Sequence, residues 1–187
     1  SNIKTFTAAI DNHTSDQKAF IDYTGDYVTF TETQFRNTFH TSDNSHQSDP
    51  NDTQLTWSHT KASGRTFSKY VLEFATDMAF TANVMSFEST SASVNFNNLM
   101  IGTHYYYRVK AIYTSGDPEI SAVNQLDTAN TNIRNLKVGG MTNCRDLGGK
   151  ELAGGGRFKY NQVYRTSGFY GWDNGSAVIS SKGSEQK

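Results

Sequence analysis

Cysteine is almost missing from this chain. Cys144 is the only one in 187 residues, which excludes a disulfide within the chain and any cysteine-rich metal site. A secreted bacterial domain tolerates that lack, whereas an animal extracellular protein more often carries bridges. Long apolar runs are missing too, so no segment reads as a membrane-spanning helix. An excess of one charge is also lacking. Seventeen basic residues face 18 acidic ones, for a formal net charge of −1. No bulk field favours nucleic acid or an acidic membrane, and nucleic acid is not an expected partner. Hydrophobic residues make up only 35% and the mean hydropathy is −0.63, low for a large core. Aromatic residues compensate at 13% (10 Tyr, 12 Phe, 2 Trp), since each can bury roughly 150–250 Å². The remaining wealth of Asn, Thr and Ser suits short strands and turns better than helices.

The chain is organised around residues 99–111. From Tyr105 every second residue (Tyr105, Tyr107, Val109, Ala111, Tyr113) is aromatic or apolar, while Arg108 and Lys110 lie between them. A period of two belongs to a strand with one face in a core. Leu99 precedes Tyr105 across a turn at Ile101-Gly102-Thr103, a spacing that fits a tyrosine corner. Upstream, Leu55 and Trp57 share a face, as do Tyr70, Leu72 and Phe74, and as do Val94 and Phe96. Residues 84–87 suggest another short strand. Ser115-Gly116-Asp117-Pro118 is a turn signal, and residues 119–128 supply a last strand. Counted from about residue 53, these stretches fit a sandwich of seven short strands. Ahead of them, residues 27–30 suggest a short strand and residues 36–53 a polar loop around Pro50. The series Leu99, Gly102-Thr103, Tyr105, Arg108-Val109, Ala111 resembles the fibronectin type III domain, with Ile101 where a Pro is usual. The resemblance implies an immunoglobulin-like β-sandwich with Trp57, Leu99 and Tyr105 as structural residues. It implies little about activity.

The texture changes after residue 132. Residues 133–138 suggest a strand, and glycine becomes dense at Gly139-Gly140, Gly148-Gly149 and Gly154-Gly155-Gly156. Three blocks follow in order: Asn143-Cys144-Arg145-Asp146-Leu147-Gly148-Gly149, then Gly156-Arg157, then Val163-Tyr164-Arg165-Thr166-Ser167. Together they resemble the opening of the catalytic domain of bacterial tyrosine phosphatases of the dual-specificity-like superfamily, with Thr166 where Ser is usual. The resemblance covers residues 133–169 and implies the start of an α/β domain. Such enzymes work through a His-Cys-x5-Arg loop whose thiolate attacks phosphorus, with an Asp as general acid. No such loop occurs in these residues, so the fragment itself is expected to be inactive. Cys144 follows Asn143 and is followed six places on by Lys150, so it is not the expected nucleophile. Arg145, Asp146 and Arg165 are the candidate substrate-binding residues. Arg145 would meet an oxyanion or orient a loop and Asp146 would pair with it, unless the two serve as a structural salt bridge or loop clamp.

Other chemistries fail on their motifs. A P-loop needs Gly-Lys-Ser/Thr, but Gly149-Lys150 is followed by Glu151. A dinucleotide fingerprint needs a following helix, and residues 152–158 are broken by glycine. His40, Asp43, His46 and Asp49 lie in a polar loop whose spacing matches no standard ligand set, so no metal and no cofactor is expected. Three regions result: an N-terminal extension with possible first strands (1–52), the sandwich (53–129) and the truncated start of the phosphatase-like domain (130–187). The last is too short to bury its own core, so it is expected to pack on the sandwich, to borrow a neighbouring copy or to be poorly ordered. Ser1-Asn2 reads as a scar of tag removal and the polar ending as an arbitrary stop. The expectation is therefore the N-terminal part of a secreted or surface-attached bacterial phosphatase acting on a phosphorylated protein or lipid. The alternative is a non-enzymatic adhesion or binding protein on the same sandwich.

Overall fold

The computed structural model describes residues 2–39, 49–131, 133–138, 141 and 143–166, and the backbone of residues 171–173 and 176–178. His40, Asp43 and His46 of the polar loop, and Ser167 of the third block, lie outside the described residues. The chain divides into two units, the first made of residues 2–11, 52–96 and 101–130. Its strands are β1 (Asn2–Ile3), β2 (Thr53–Ser58), β3 (Phe67–Ala75), β4 (Met85–Ser89), β5 (Ser93–Phe96), β6 (His104–Tyr113), β7 (Glu119–Ile120) and β8 (Asn124–Asp127). Sheet one runs β1-β2-β5; sheet two runs β4-β3-β6-β7, with β8 also on β6. Every pairing is antiparallel.

Alternation explains the two layers. Along β6 the buried set is Tyr105, Tyr107, Val109, Ala111 and Tyr113, and along β3 it is Tyr70, Leu72 and Phe74. Sheet one contributes Leu55, Trp57 and Phe96 from its inner face. Rings then interdigitate between the layers: Phe74 lies 4.7 Å from Phe96, and Trp57 lies 5.2 Å from Tyr70. The outward residues of β3 and β6 pair as charges, Glu73 accepting from Arg108 Nε at 2.8 Å and Lys110 Nζ at 2.7 Å. The two lysine and arginine neighbours, acting against burial, hold the Glu73 carboxyl below its usual pKa.

The N-terminal segment borders both sheets. Lys4 N donates to Thr56 O at 3.0 Å, and Ile10 forms a parallel bridge with Thr128. Tyr107 Oη donates to Lys4 O at 2.7 Å, and Phe6 packs edge-on against Phe96 and Tyr107. Burial pushes the Tyr107 phenol from 10.0 up to about 12. In the unfolded chain this group ionises near pH 10, so its contribution to stability is complete below that value and is lost as pH rises towards 12. Absorbance titration at 295 nm should show one tyrosine ionising later than the rest, and Tyr107→Phe should remove it.

Residues 12–51, between β1 and β2, belong to the second unit with residues 97–100 and 131–187. They carry two helices not expected from composition, α1 (Ser15–Asp22) and α2 (Glu32–Phe39). Both helices start at a reciprocal cap. Thr14 Oγ1 accepts from Gln17 N at 3.2 Å while Gln17 Oε1 accepts from Thr14 N at 3.0 Å; Thr31 and Gln34 repeat the arrangement at 3.2 and 2.8 Å. Residues 27–30 are a turn and not the expected strand, closed by Phe30 N on Tyr27 O at 3.0 Å. The aromatic rings decide it. Phe39, 2% exposed, gathers Phe20, Tyr23, Tyr27, Phe30 and Phe35 within 4.7–6.3 Å. The expected loop from residue 36 therefore begins later, because residues 36–39 complete α2 and Arg36 pairs with Glu32 one turn earlier at 2.8 Å. The rest of this unit holds β9 (Arg134–Leu136), β10 (Cys144–Asp146) and β11 (Tyr164–Arg165) in an antiparallel sheet of order β11-β10-β9. A separate pair, β12 (Gly171–Asp173) and β13 (Ser176–Val178), closes the described chain.

Candidate functional site

The site grows from β10. Side chains alternate along a strand, so Cys144 and Asp146 turn to the buried face and Arg145 to the other. That geometry separates Arg145 from Asp146, the pairing expected from their adjacency. Asp146 instead pairs with Arg134, its direct register partner on the neighbouring strand β9, at 2.6 Å. Their side chains are 0% and 6% exposed.

Around this ion pair the polar groups of the described residues are partnered, Arg134 Nε excepted. Asp146 Oδ1 accepts from Gly148 N at 2.8 Å, and Oδ2 accepts from Asn161 N at 3.0 Å as well as from Arg134. Arg134 also donates to Asn161 Oδ1 at 2.9 Å and to Asn98 O at 2.6 Å. Asn98 in turn exchanges two hydrogen bonds with the Lys137 backbone, at 2.7 and 2.9 Å. The turn after β10 is thereby tied to the buried Asp146 carboxylate. Gly148 is required there: a Cβ would stand 2.4 Å from Tyr160 Cα, a backbone atom that cannot step aside. Gly149 follows at φ +80°, where a side chain is strained. The next residues form the hairpin that returns to β11, with Leu147 N on Val163 O at 3.0 Å and Gly149 N on Phe158 O at 2.9 Å.

The opposite face carries a different chemistry. Arg145 stands directly across from Asn135 on β9 and from Arg165 on β11, so the three side chains form one row over the sheet. Arg145 is partly buried and Arg165 is exposed. Among the described residues neither guanidinium meets a carboxylate or a hydrogen-bond acceptor. Burial first, and the Arg165 charge second, draw the Arg145 pKa below its ordinary value. Asn135 Oδ1 is buried with no hydrogen-bond partner among the described residues. Such a row can hold an anion.

Cys144 takes no part in it. The thiol is buried, and burial pushes its pKa up, with the Asp146 and Asp49 carboxylates adding to the effect. A thiol held protonated is a poor nucleophile. Trp57 lies buried on β2, Leu99 is buried in the 97–100 segment, and Tyr105 is fully buried at the start of β6, its ring edge-on to Phe74 at 6.1 Å. Sequence reasoning missed Arg134 and Asn161 as partners of Asp146, Asn98 as an acceptor for Arg134, and Asn135 as a neighbour of Arg145. Asn98 lies 36 residues before Arg134 and carries no local signal. Among the described residues no group of three His, Cys, Asp or Glu side chains is placed to hold a metal ion, and no helix is long and apolar enough to cross a membrane.

Residues 43–126 match the family model of the fibronectin type III domain. That stretch includes β2 to β7 and ends inside β8, ahead of the arginine row. No curated protein and no solved structure matches the chain.

Proposed function

We propose that this chain, which carries a fibronectin type III domain at residues 43–126, is the N-terminal part of a secreted or surface-attached bacterial tyrosine phosphatase of the dual-specificity-like kind. The sandwich serves as spacer or docking module. Strands β9 to β11 open the catalytic domain, whose His-Cys-x5-Arg loop belongs to further chain. There a thiolate forms a sulfur–phosphorus bond as the ester oxygen–phosphorus bond breaks, an Asp protonates the leaving oxygen, and water then releases phosphate. One observation carries this reading: the blocks Asn143-Cys144-Arg145-Asp146-Leu147-Gly148-Gly149 and Val163-Tyr164-Arg165 lie on adjacent strands. Their two arginines stand side by side without an acidic partner among the described residues.

The test is the reading frame beyond Lys187, followed by hydrolysis of p-nitrophenyl phosphate. A His-Cys-x5-Arg motif is expected there, and the longer protein should turn the substrate over while the 187-residue chain does not. Turnover by the short chain that Cys144→Ser abolishes would overturn the division of labour argued above. The family match itself favours a second reading, a non-enzymatic adhesion or binding protein. Another sandwich or an anchor signal beyond Lys187 would decide for it.

A further inference from the structure

Two guanidinium groups opposed across neighbouring strands repel each other, a cost the sheet carries whenever the site is empty. Arg145 and Arg165 are such a pair, with their β-carbons about 5 Å apart by their register. Arginine stays protonated under all ordinary conditions, so the repulsion is not relieved by losing a proton. Neither is it relieved by a carboxylate among the described residues. On the same row Asn135 offers a carboxamide whose oxygen has no partner among the described residues, and rotation of the amide exchanges that acceptor for a donor. Underneath, the Arg134–Asp146 pair and its hydrogen bonds fix β9 and β10 against each other, so the row stands on a rigid base. These features describe a small, preorganised and strongly cationic strip on a chain whose net charge is only −1.

We infer that the row Asn135–Arg145–Arg165 binds a phosphate dianion, free or as a phosphomonoester, within this chain and without the reactive loop. Two planar forks present their N–H groups to a tetrahedral ligand with three terminal oxygens, and two negative charges neutralise both arginines at once. A monocarboxylate neutralises only one. An extended polyanion gains little here, because the positive charge is confined to one row and no field surrounds it. The inference rests on the phosphatase reading only for the phosphomonoester as biological source; binding itself is a property of the 187 residues.

The experiment is a ¹H–¹⁵N titration of the whole 187-residue chain with inorganic phosphate, phenyl phosphate and acetate at constant ionic strength. Saturable shifts centred on the amides of β9 to β11 are expected with both phosphates and not with acetate. Equal affinity for the two means that the phosphate group alone is recognised; tighter phenyl phosphate means that the ester group adds contacts. Either supports the inference. Arg145→Gln and Arg165→Gln should each weaken binding by about tenfold or more, the loss of hydrogen bonds to a charged group. Arg165→Lys should fall between, since it keeps the charge and loses the fork. Arg36→Gln on α2 is the control and should change nothing. A native spectrum away from β10 and β11 shows that each variant folds. Binding that survives both glutamine variants, or no saturation with either phosphate, overturns the inference. Its failure beside an active longer enzyme would leave the phosphatase reading standing. Phosphate binding by a protein whose further chain lacks His-Cys-x5-Arg would do the reverse.

Discussion

Asp146→Ala is expected to cost about 3–5 kcal/mol in the second unit, the usual loss when one member of a buried ion pair is removed. The reason is the partner left behind. Arg134 is 6% exposed and donates to Asp146, Asn161 and Asn98, so without the carboxylate its charge remains buried and uncompensated. Two backbone donors, Gly148 N and Asn161 N, lose their acceptor in the same step. Hydrogen exchange is the suitable measurement. Amides of β9, β10 and the turn at Gly148 should lose protection, while those at the centre of β3 and β6 keep theirs. The double variant Asp146→Ala with Arg134→Ala should cost less than the sum of the two single changes, because it removes the stranded charge. Strict additivity in that cycle would refute a coupled pair.

Phe74→Ala is expected to destabilise the sandwich by a similar amount, about 3–5 kcal/mol. Phe74 is fully buried on β3 and touches Phe96 of the facing sheet at 4.7 Å, Tyr107 at 5.8 Å, Phe87 at 6.0 Å and Tyr105 at 6.1 Å. Removing it opens a cavity among rings that are already in contact with one another and cannot all move into it. Denaturant unfolding followed by tryptophan fluorescence should show the midpoint fall with an unchanged slope. Val84→Ala, at a side chain 44% exposed, should stay within about 0.5 kcal/mol and serves as the comparison. A Phe74→Ala cost as small as that would mean that this ring does not bridge the two layers.

The alternation that buries Tyr105, Tyr107, Val109, Ala111 and Tyr113 is legible in the sequence because a strand repeats every two residues, whatever surrounds it. The same holds for Tyr70, Leu72 and Phe74 on β3. The two helices were legible in principle, through Thr14-x-x-Gln17 and Thr31-x-x-Gln34, but the aromatic and polar residues around them read as turns and strands. In the candidate site, the arginines of the Asn143 and Val163 blocks were visible as residues worth naming. Their neighbours were not. Adjacency in sequence suggests Arg145 as the partner of Asp146, whereas adjacent strand residues face opposite ways.

The sequence by itself determined a mainly β chain with a fibronectin type III domain, because composition, turn signals and period-two patterning act locally and agree. It also determined which residue types are on hand for chemistry after residue 132. Only the tertiary structure decided that Arg134 satisfies Asp146, that Asn98 reaches Arg134 across 36 residues, and that Asn135, Arg145 and Arg165 stand in one row. Strand register makes those choices. It is fixed by which faces must be buried and by how the connecting turns close, and neither is written in any single stretch of the chain.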